Sequence, residues 1–189
     1  MKLKSKEKLP ITIIIATKNE ELNLQKCLNS LKCVERVVLI DSHSSDKTLE
    51  IANLFEVEII QFDYKGGYPK KRQWALDTLD ITTPWVFLLD ADEVVPSSLW
   101  DEITNALSQK DLFDAYLIKK GFHFMGKKMK YGGFSFQAVL LFKRDKAKFE
   151  KLFEDDLNGF DMEVHERIIV KGKIGKLKTP LVHEDFKNL

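Results

Sequence analysis

Two acidic residues, Asp90 and Asp92, stand one residue apart at the end of an apolar segment that begins at Trp85. Carboxylate oxygens suit hard divalent cations, and magnesium is commonly held by one or two carboxylates together with substrate phosphates. The alternative is that these acids cap the helix expected from Ser97 or simply face solvent. Their position at the end of a buried strand favours a site where a cation neutralises a phosphate-bearing ligand.

Two further polar segments, 17–20 and 41–48, also follow apolar segments. Their side-chain acceptors could bind a nucleobase edge, and Lys18 or backbone amides could approach a phosphate. Asn19 and Asp46 are equally good helix N-caps, so each segment taken alone also fits an ordinary capped helix start.

The elements that position these segments follow from hydrophobic patterning. Continuous apolar segments predict strands at 11–17, 36–41, 57–62 and 85–90, with helices between and after them, the first capped by Asn19 and another opened by Pro69. Uninterrupted apolar strands are typical of a parallel sheet covered on both faces. Ligands bind such sheets at the carboxyl ends of the strands, so the polar segments should meet. The second half predicts irregular strands at 115–122, 137–144, 167–170 and 181–183.

Taken together, the three strand ends resemble family 2 glycosyltransferases of the GT-A fold. The resemblance rests on Thr-Lys-Asn-Glu at 17–20, Asp-Ser-x-Ser-x-Asp-x-Thr at 41–48 and Leu-Asp-Ala-Asp-Glu at 89–93. It implies an α/β fold with a Rossmann-like, mostly parallel sheet flanked by helices and an irregular, β-rich C-terminal half.

The same resemblance implies roles for individual residues on the donor side. Thr17, Asn19 and Glu20 would line the nucleotide pocket, and Asp41 would contact the base. Lys71, Arg72 and Gln73 align with the start of the donor-binding helix in that family. Arg72 is the expected donor contact, because a guanidinium fork fits phosphate oxygens. Asp90 is expected to contribute to donor binding as well.

The metal is expected to be Mg²⁺ or Mn²⁺, with Asp92 as the direct ligand. His183 follows an apolar segment, and its imidazole could add a second ligand. An isolated histidine with a purely structural role is the alternative.

The second half resembles the branch of this family that adds β-glucose to lipopolysaccharide core. The matching segments are 124–126, 132–134, 141–144 and 164–167, with Gly172 and His183. This likeness implies a UDP-glucose-like donor, inversion at the anomeric carbon and a glycan or glycolipid acceptor. It also implies Glu166 as the general base, with Glu163 and Asp161 as competitors. A surface ion pair with Arg167 is the other interpretation of Glu166.

An aromatic and basic segment, 122–136, follows the first strand of the second half. Aromatic rings there could form a wall that stacks on an acceptor sugar or faces lipid. A hairpin that only covers the sheet explains the segment equally well.

Composition limits the classes of function. The 189 residues carry a net charge of +1, from 30 basic and 29 acidic side chains, whereas nucleic-acid binding usually leaves a strongly basic footprint. We therefore expect no nucleic-acid partner. The two cysteines, Cys27 and Cys33, form no metal-type spacing and indicate a reducing, cytoplasmic compartment.

Domain organisation is expected to be simple. Residues 1–9 form a basic arm, predicted to be solvated, with peripheral contact to the inner face of the cytoplasmic membrane as the alternative. Residues 10–189 form one domain, in which 10–110 bind the nucleotide sugar and 111–189 bind the acceptor.

Two other classes of function fit some of the same residues. Asp90-Ala91-Asp92-Glu93-Val94 also resembles the Asp-x-Asp-x-Val motif of haloacid-dehalogenase-type phosphatases, in which Asp90 would be a phosphoryl nucleophile. A non-catalytic module that binds a nucleotide sugar or glycan is the second alternative. Neither a P-loop nor a G-x-G-x-x-G motif is present, which leaves kinase-like and dinucleotide-binding functions without support.

Overall fold

The computed structural model describes residues 8–32, 34–63, 65, 69–109, 112–124, 127–128, 136–150 and 167–184. In these ranges the strands are β1 (Leu9–Thr17), β2 (Val34–Asp41), β3 (Glu58–Gln61), β4 (Trp85–Asp90), β5 (Glu93–Val94), β6 (Ala115–Phe124), β7 (Lys127–Lys128), β8 (Gln137–Lys143), β9 (Ala147–Phe149), β10 (Ile168–Val170), β11 (Ile174–Lys176) and β12 (Leu181–Glu184). The helices are α1 (Leu24–Asn29), α2 (Thr48–Ala52), α3 (Lys71–Thr78) and α4 (Ser97–Ser108).

The first four strands pair in parallel in the order β3-β2-β1-β4. β1 is rich in isoleucine, which favours a pleated, buried surface, and its central residues are almost fully buried. The register places Thr17 beside Asp41 on β2, and Ala16 beside Asp90 on β4. The three polar strand ends therefore meet at one edge of the sheet, as the sequence predicts.

The second half extends the same sheet with mixed strand directions. β8 pairs antiparallel with β4, β6 pairs antiparallel with β8, and β12 runs parallel to β6. The short β5 closes this path by pairing antiparallel with β12, so that His183 faces Glu93 in the register. β9 and β10 form a separate two-stranded antiparallel sheet, and we refer to these two paired strands alone as the β9–β10 hairpin.

Helix α4 covers part of the sheet through one apolar face. Its buried residues are Leu99, Trp100 and Ile103, and Leu99 and Ile103 are one turn apart. Trp100 packs edge-on against Phe87 of β4, with ring centroids 6.0 Å apart. Burying side chains of this size contributes about 1.5–3 kcal/mol each, so α4 fixes the strand that ends in Asp90.

The expectation that Asn19 caps the first helix is wrong, because α1 begins only at Leu24. Asn19 instead adopts a positive φ of 54°, and its side-chain oxygen accepts the backbone N–H of Ser45 at 2.8 Å. Asparagine tolerates this backbone region because its short polar side chain can bond locally. The residue thus ties two loops together instead of starting a helix.

Among the helices that the structure describes, none combines the length and the apolar character needed to cross a bilayer.

Candidate functional site

A cleft of about 1460 Å³ opens at the carboxyl ends of β1 and β4. One side is lined by the strand ends and the start of α3, namely residues 16–20, Lys71, Arg72 and 90–92. The other side is lined by the second half of the chain, namely Lys120, 136–140, Phe149, Arg167, Ile168 and His183. Thr17, Asp90 and Asp92 therefore share one cavity, as a donor site at this edge of the sheet requires.

The loop after β2 holds the loop after β1 in place. The backbone N–H of Asn19 donates to Ser44 Oγ at 2.8 Å, and the backbone N–H of Glu20 donates to Thr48 Oγ1 at 2.7 Å. Glu20 in turn accepts a hydrogen bond from Asn23 at 2.9 Å. These bonds leave Asn19 and Glu20 as ordered polar walls of the cleft.

Asp41 lies directly behind this wall and is fully buried. Its carboxylate accepts hydrogen bonds from the backbone N–H of Ser44 at 2.8 Å and from the Ser44 hydroxyl at 2.5 Å. Neighbouring Thr17 is also buried, and its carbonyl accepts a hydrogen bond from Lys71 Nζ at 2.9 Å. Thr17 lines the cleft, whereas Asp41 organises the loop beneath it.

Each carboxylate oxygen of Asp90 is paired with a positively charged side chain. Arg72, from the first turn of α3, pairs with Oδ1, and Lys120 Nζ, from β6, lies 2.6 Å from Oδ2. Burial opposes ionisation of Asp90, but these two cations outweigh it and hold the pKa of Asp90 well below its ordinary value. Asp90 is therefore a carboxylate fixed between two positive groups that themselves line the cleft.

Glu93 completes this group as a fully buried acid. Its Oε1 lies 2.7 Å from Lys120 Nζ, and its Oε2 accepts the backbone N–H of Asp90 at 2.9 Å. Burial raises the pKa of Glu93, with a further contribution from the charge of Asp90. Arg72, Asp90, Glu93 and Lys120 are two basic and two acidic side chains in contact, and we refer to these four residues as the charge tetrad.

Asp92 lies outside the tetrad and faces His183 of β12. Asp92 Oδ1 and His183 Nδ1 are 3.4 Å apart. Oδ1 is buried, yet no described residue gives it a hydrogen bond of good geometry. The Asp92 carboxylate raises the pKa of His183 against the opposing effect of burial.

The Asp92–His183 pair fits a divalent cation that takes few ligands from the protein. In the described part of the chain, no three His, Cys, Asp or Glu side chains are grouped to hold a metal. The Asp92 carboxylate and the adjacent His183 imidazole offer two ligand side chains, and Mg²⁺ and related ions complete their shell with water and substrate phosphates.

The opposite wall of the cleft is more apolar. Phe136 is 59% exposed, and Lys120 Nζ lies 5.6 Å from the centre of its ring. Arg167 is exposed at the start of β10. The predicted general base, Glu166, and its competitors Glu163 and Asp161 lie outside the described residues.

Sequence reasoning missed Lys120, although one signal was present. Lys119 and Lys120 interrupt an apolar strand, and Lys120 shares the buried phase with Ile118 two residues earlier, whereas Lys119 is exposed. A lysine in the buried phase of a strand needs a paired acid, which is a reason to look for one.

The model of the family described as Glycosyl transferase family 2 matches residues 12–169 of the chain. The lipopolysaccharide core biosynthesis glycosyltransferase LpsC of Rhizobium meliloti (strain 1021) is 27% identical over 183 residues, which cover 91% of this chain and 62% of that protein. An uncharacterized glycosyltransferase of Rickettsia bellii (strain RML369-C) is 33% identical over 112 residues, which cover 58% of this chain and 37% of that protein.

Among solved structures, S. aureus TarS superimposes with a TM-score of 0.62 at 20% identity. The match covers 92% of this chain and 60% of that one. At this identity the likeness shows the fold alone, and it confirms the predicted GT-A architecture. The chain spans less than two thirds of the length of each of these three proteins.

Proposed function

Because the chain belongs to glycosyl transferase family 2, we propose that it transfers a hexose from a nucleotide-diphosphate sugar to an acceptor hydroxyl with the help of Mg²⁺ or Mn²⁺. The observation that carries this proposal is the shared cleft, in which Asp92 and His183 lie with the polar strand ends at 17–20.

On the donor side, the ordered loop at Thr17, Asn19 and Glu20 supplies polar groups for a nucleoside, with Asp41 fixing the loop behind them. Arg72 and Lys120 both pair with Asp90 in the turn at 90–93, which we call the aspartate turn, and they suit the two phosphates of the donor. We infer a UDP-glucose-like donor bound along this wall.

Asp92 and His183 would hold the divalent cation. A cation held there would supply charge neutralisation for the leaving diphosphate. The chain's own contribution is to present Asp92 Oδ1, to which no described residue makes a hydrogen bond of good geometry, while both oxygens of Asp90 are paired with Arg72 and Lys120.

On the acceptor side, the wall formed by residues 136–140, Phe149 and Ile168 offers apolar surface, and Phe136 offers an exposed ring for a sugar face. Glu166, which directly precedes Arg167, is proposed as the base that takes the acceptor proton, with inversion at the anomeric carbon. The name of the LpsC relative supports a lipopolysaccharide-core-type glycan as acceptor. The division into a donor half at 10–110 and an acceptor half at 111–189 is part of this proposal.

The alternative in which Asp90 is a phosphoryl nucleophile loses support. A nucleophilic carboxylate needs an accessible oxygen, and both oxygens of Asp90 are paired with cations. The family match also favours glycosyl transfer.

The test compares wild type with Asp92→Asn and, as a matched control, Asp101→Asn on the surface of α4, where Asp101 pairs only with Lys32 among the described residues. We expect UDP to bind in calorimetry only with Mn²⁺, and UDP-glucose to be hydrolysed slowly in the absence of acceptor. Asp92→Asn should lower that rate by about a hundredfold, because metal stabilisation of the leaving group contributes several kcal/mol.

Asp101→Asn should retain the wild-type rate. Full hydrolysis with a chelator, or in Asp92→Asn, would exclude the metal-dependent mechanism. Tight UDP-glucose binding without turnover on water or any glycan would instead favour the non-catalytic binding module.

A further inference from the structure

The β9–β10 hairpin stands apart from the ten-stranded sheet, yet it contributes to the cleft. Phe149 of β9 is 3% exposed and pairs in the register with Ile168 of β10. Phe149, Ile168 and the adjoining Arg167 all line the acceptor side. Because two short strands are marginal on their own, the position of this hairpin depends on what anchors it to the rest of the fold.

A single buried side chain provides one such anchor. Gln73 of α3 is 5% exposed, and its Oε1 accepts the backbone N–H of Phe149 at 3.1 Å. Its amide nitrogen donates to Asp77 one turn along the same helix. The bond to Asp77 fixes which end of the amide faces the hairpin, since a carboxylate can only accept.

Gln73 follows Arg72 directly along α3. Arg72 binds Asp90 at the end of β4, and Gln73 binds Phe149 of β9. The first turn of α3 therefore contacts both the donor side of the cleft and the hairpin. A second contact lies farther along α3, where the guanidinium of Arg144 donates to the carbonyl of Leu76. Arg144 lies in the turn before β9, and it does not line the cleft.

We propose that Gln73 is a positioning residue that couples the donor-binding turn of α3 to the hairpin on the acceptor side of the cleft. The inference rests on the proposed function, since it assigns the two walls to donor and acceptor. A donor phosphate held by Arg72 reduces the motion of the first turn of α3. Through its hydrogen bond to the Phe149 amide, Gln73 then reduces the motion of the hairpin as well.

The test uses UDP with Mn²⁺ as the probe and amide hydrogen exchange of the peptides spanning 146–150 and 167–170 as the readout. In wild type, UDP is expected to slow exchange in the hairpin by about fivefold or more, as an ordering effect transmitted between two sites. Gln73→Met removes the acceptor of the Phe149 amide. Gln73 is not among the residues that line the cleft, whereas Lys71 and Arg72 are. This variant should therefore bind UDP with a similar Kd, within about threefold, but lose the slowing.

Rescue distinguishes this role from general packing. In Gln73→Glu/Asp77→Asn, the new carboxylate accepts from Phe149, and the new amide at position 77 donates to it, so both bonds return with the second one reversed. We expect this double variant to regain the response to UDP. Arg144→Met is the matched control, because it loosens the same hairpin from α3 but leaves the Gln73 bond intact, and it should keep the response.

Each result has one meaning. A hairpin that still responds to UDP in Gln73→Met, a response lost equally in Arg144→Met, or wild type that binds UDP without any change in the hairpin would overturn the inference while leaving the proposed function standing. Wild type that binds no UDP would overturn the proposed function, and the inference with it.

Discussion

The charge tetrad makes Lys120 a side chain whose removal should cost stability, because it is the shared partner of two acidic side chains. Lys120 is 7% exposed, and its ammonium is shared between Asp90 and Glu93. In Lys120→Met the apolar volume is largely kept, so the change isolates the charge. Asp90 retains Arg72 as a partner, and the uncompensated group is Glu93, which is fully buried.

The loss of stability in Lys120→Met depends on whether Glu93 stays charged or takes up a proton. Removing one partner of a buried ion pair costs about 3–5 kcal/mol when the other remains charged. Glu93 can avoid part of that cost by taking a proton. The pKa of Glu93 is raised from 4.5 to about 7 even with Lys120 present, so taking a proton costs little at pH 7 and about 1.36 kcal/mol for each pH unit above it. We therefore expect Lys120→Met to lose less than about 1 kcal/mol through Glu93 at pH 7 and up to about 3 kcal/mol at pH 9.

The protonation of Glu93 also makes the stability of the protein depend on pH. Burial raises the pKa of Glu93 in the folded state above that in the unfolded state, so the folded state binds the proton more tightly. Stability therefore falls in both proteins as pH rises from about 4.5 to about 7, to which the pKa of Glu93 is raised. Above pH 7 this loss levels off in the wild type, because Glu93 then ionises in the folded state as well, and it continues in Lys120→Met, where Glu93 keeps its proton. The deficit of Lys120→Met should therefore be larger at pH 9 than at pH 7.

Urea unfolding followed by tryptophan fluorescence measures both values, since Trp85 and Trp100 are buried. Lys119→Met is the matched control, because Lys119 is the exposed neighbour on the same strand and should cost no more than about 0.5 kcal/mol. Lys120→Met/Glu93→Gln should recover part of the loss at pH 9. Unfolding of Lys120→Met like that of Lys119→Met at both pH values, or a deficit that is larger at the lower pH, would refute this account of Glu93.

Two other changes test features that support the site. Glu102 accepts the backbone N–H groups of Lys178 and Thr179 at 2.7 and 2.9 Å, and although burial opposes it, these donors hold the pKa of Glu102 below its ordinary value. The stability that Glu102 contributes is therefore complete above about pH 4.5 and is lost as pH falls. Glu102→Gln should lower the free energy of unfolding by about 1 kcal/mol at pH 7 and by less in acid. An equal loss at every pH in thermal unfolding would contradict this prediction. Gly172 has a φ of 152°, and a Cβ there would collide with the Asp114 side chain, so Gly172→Ala should cost about 1–3 kcal/mol in urea unfolding, and a neutral result would show that the turn relaxes.

Local patterns predicted much of the donor half. The isoleucine-rich β1 and the apolar β4 could be assigned as buried strands because each is continuous in sequence. Parallel strands end at one edge, so the meeting of Thr17, Asp41 and Asp90 followed without coordinates. The predicted start of α1 was wrong, because the side chain of Asn19 accepts a hydrogen bond from Ser45 in the neighbouring loop instead of capping a helix.

The sequence by itself determined the fold family, the acidic turn at 90–93 and the polar strand ends, since these depend on residue order within single elements. Only the tertiary structure decided that Lys120 neutralises that turn and that Gln73 reaches Phe149. It also brought His183 next to Asp92, a pairing for which the sequence offered only a resemblance. These contacts join residues far apart in the chain, and they depend on how β6, β12 and the hairpin pack against the first half, which no local pattern encodes.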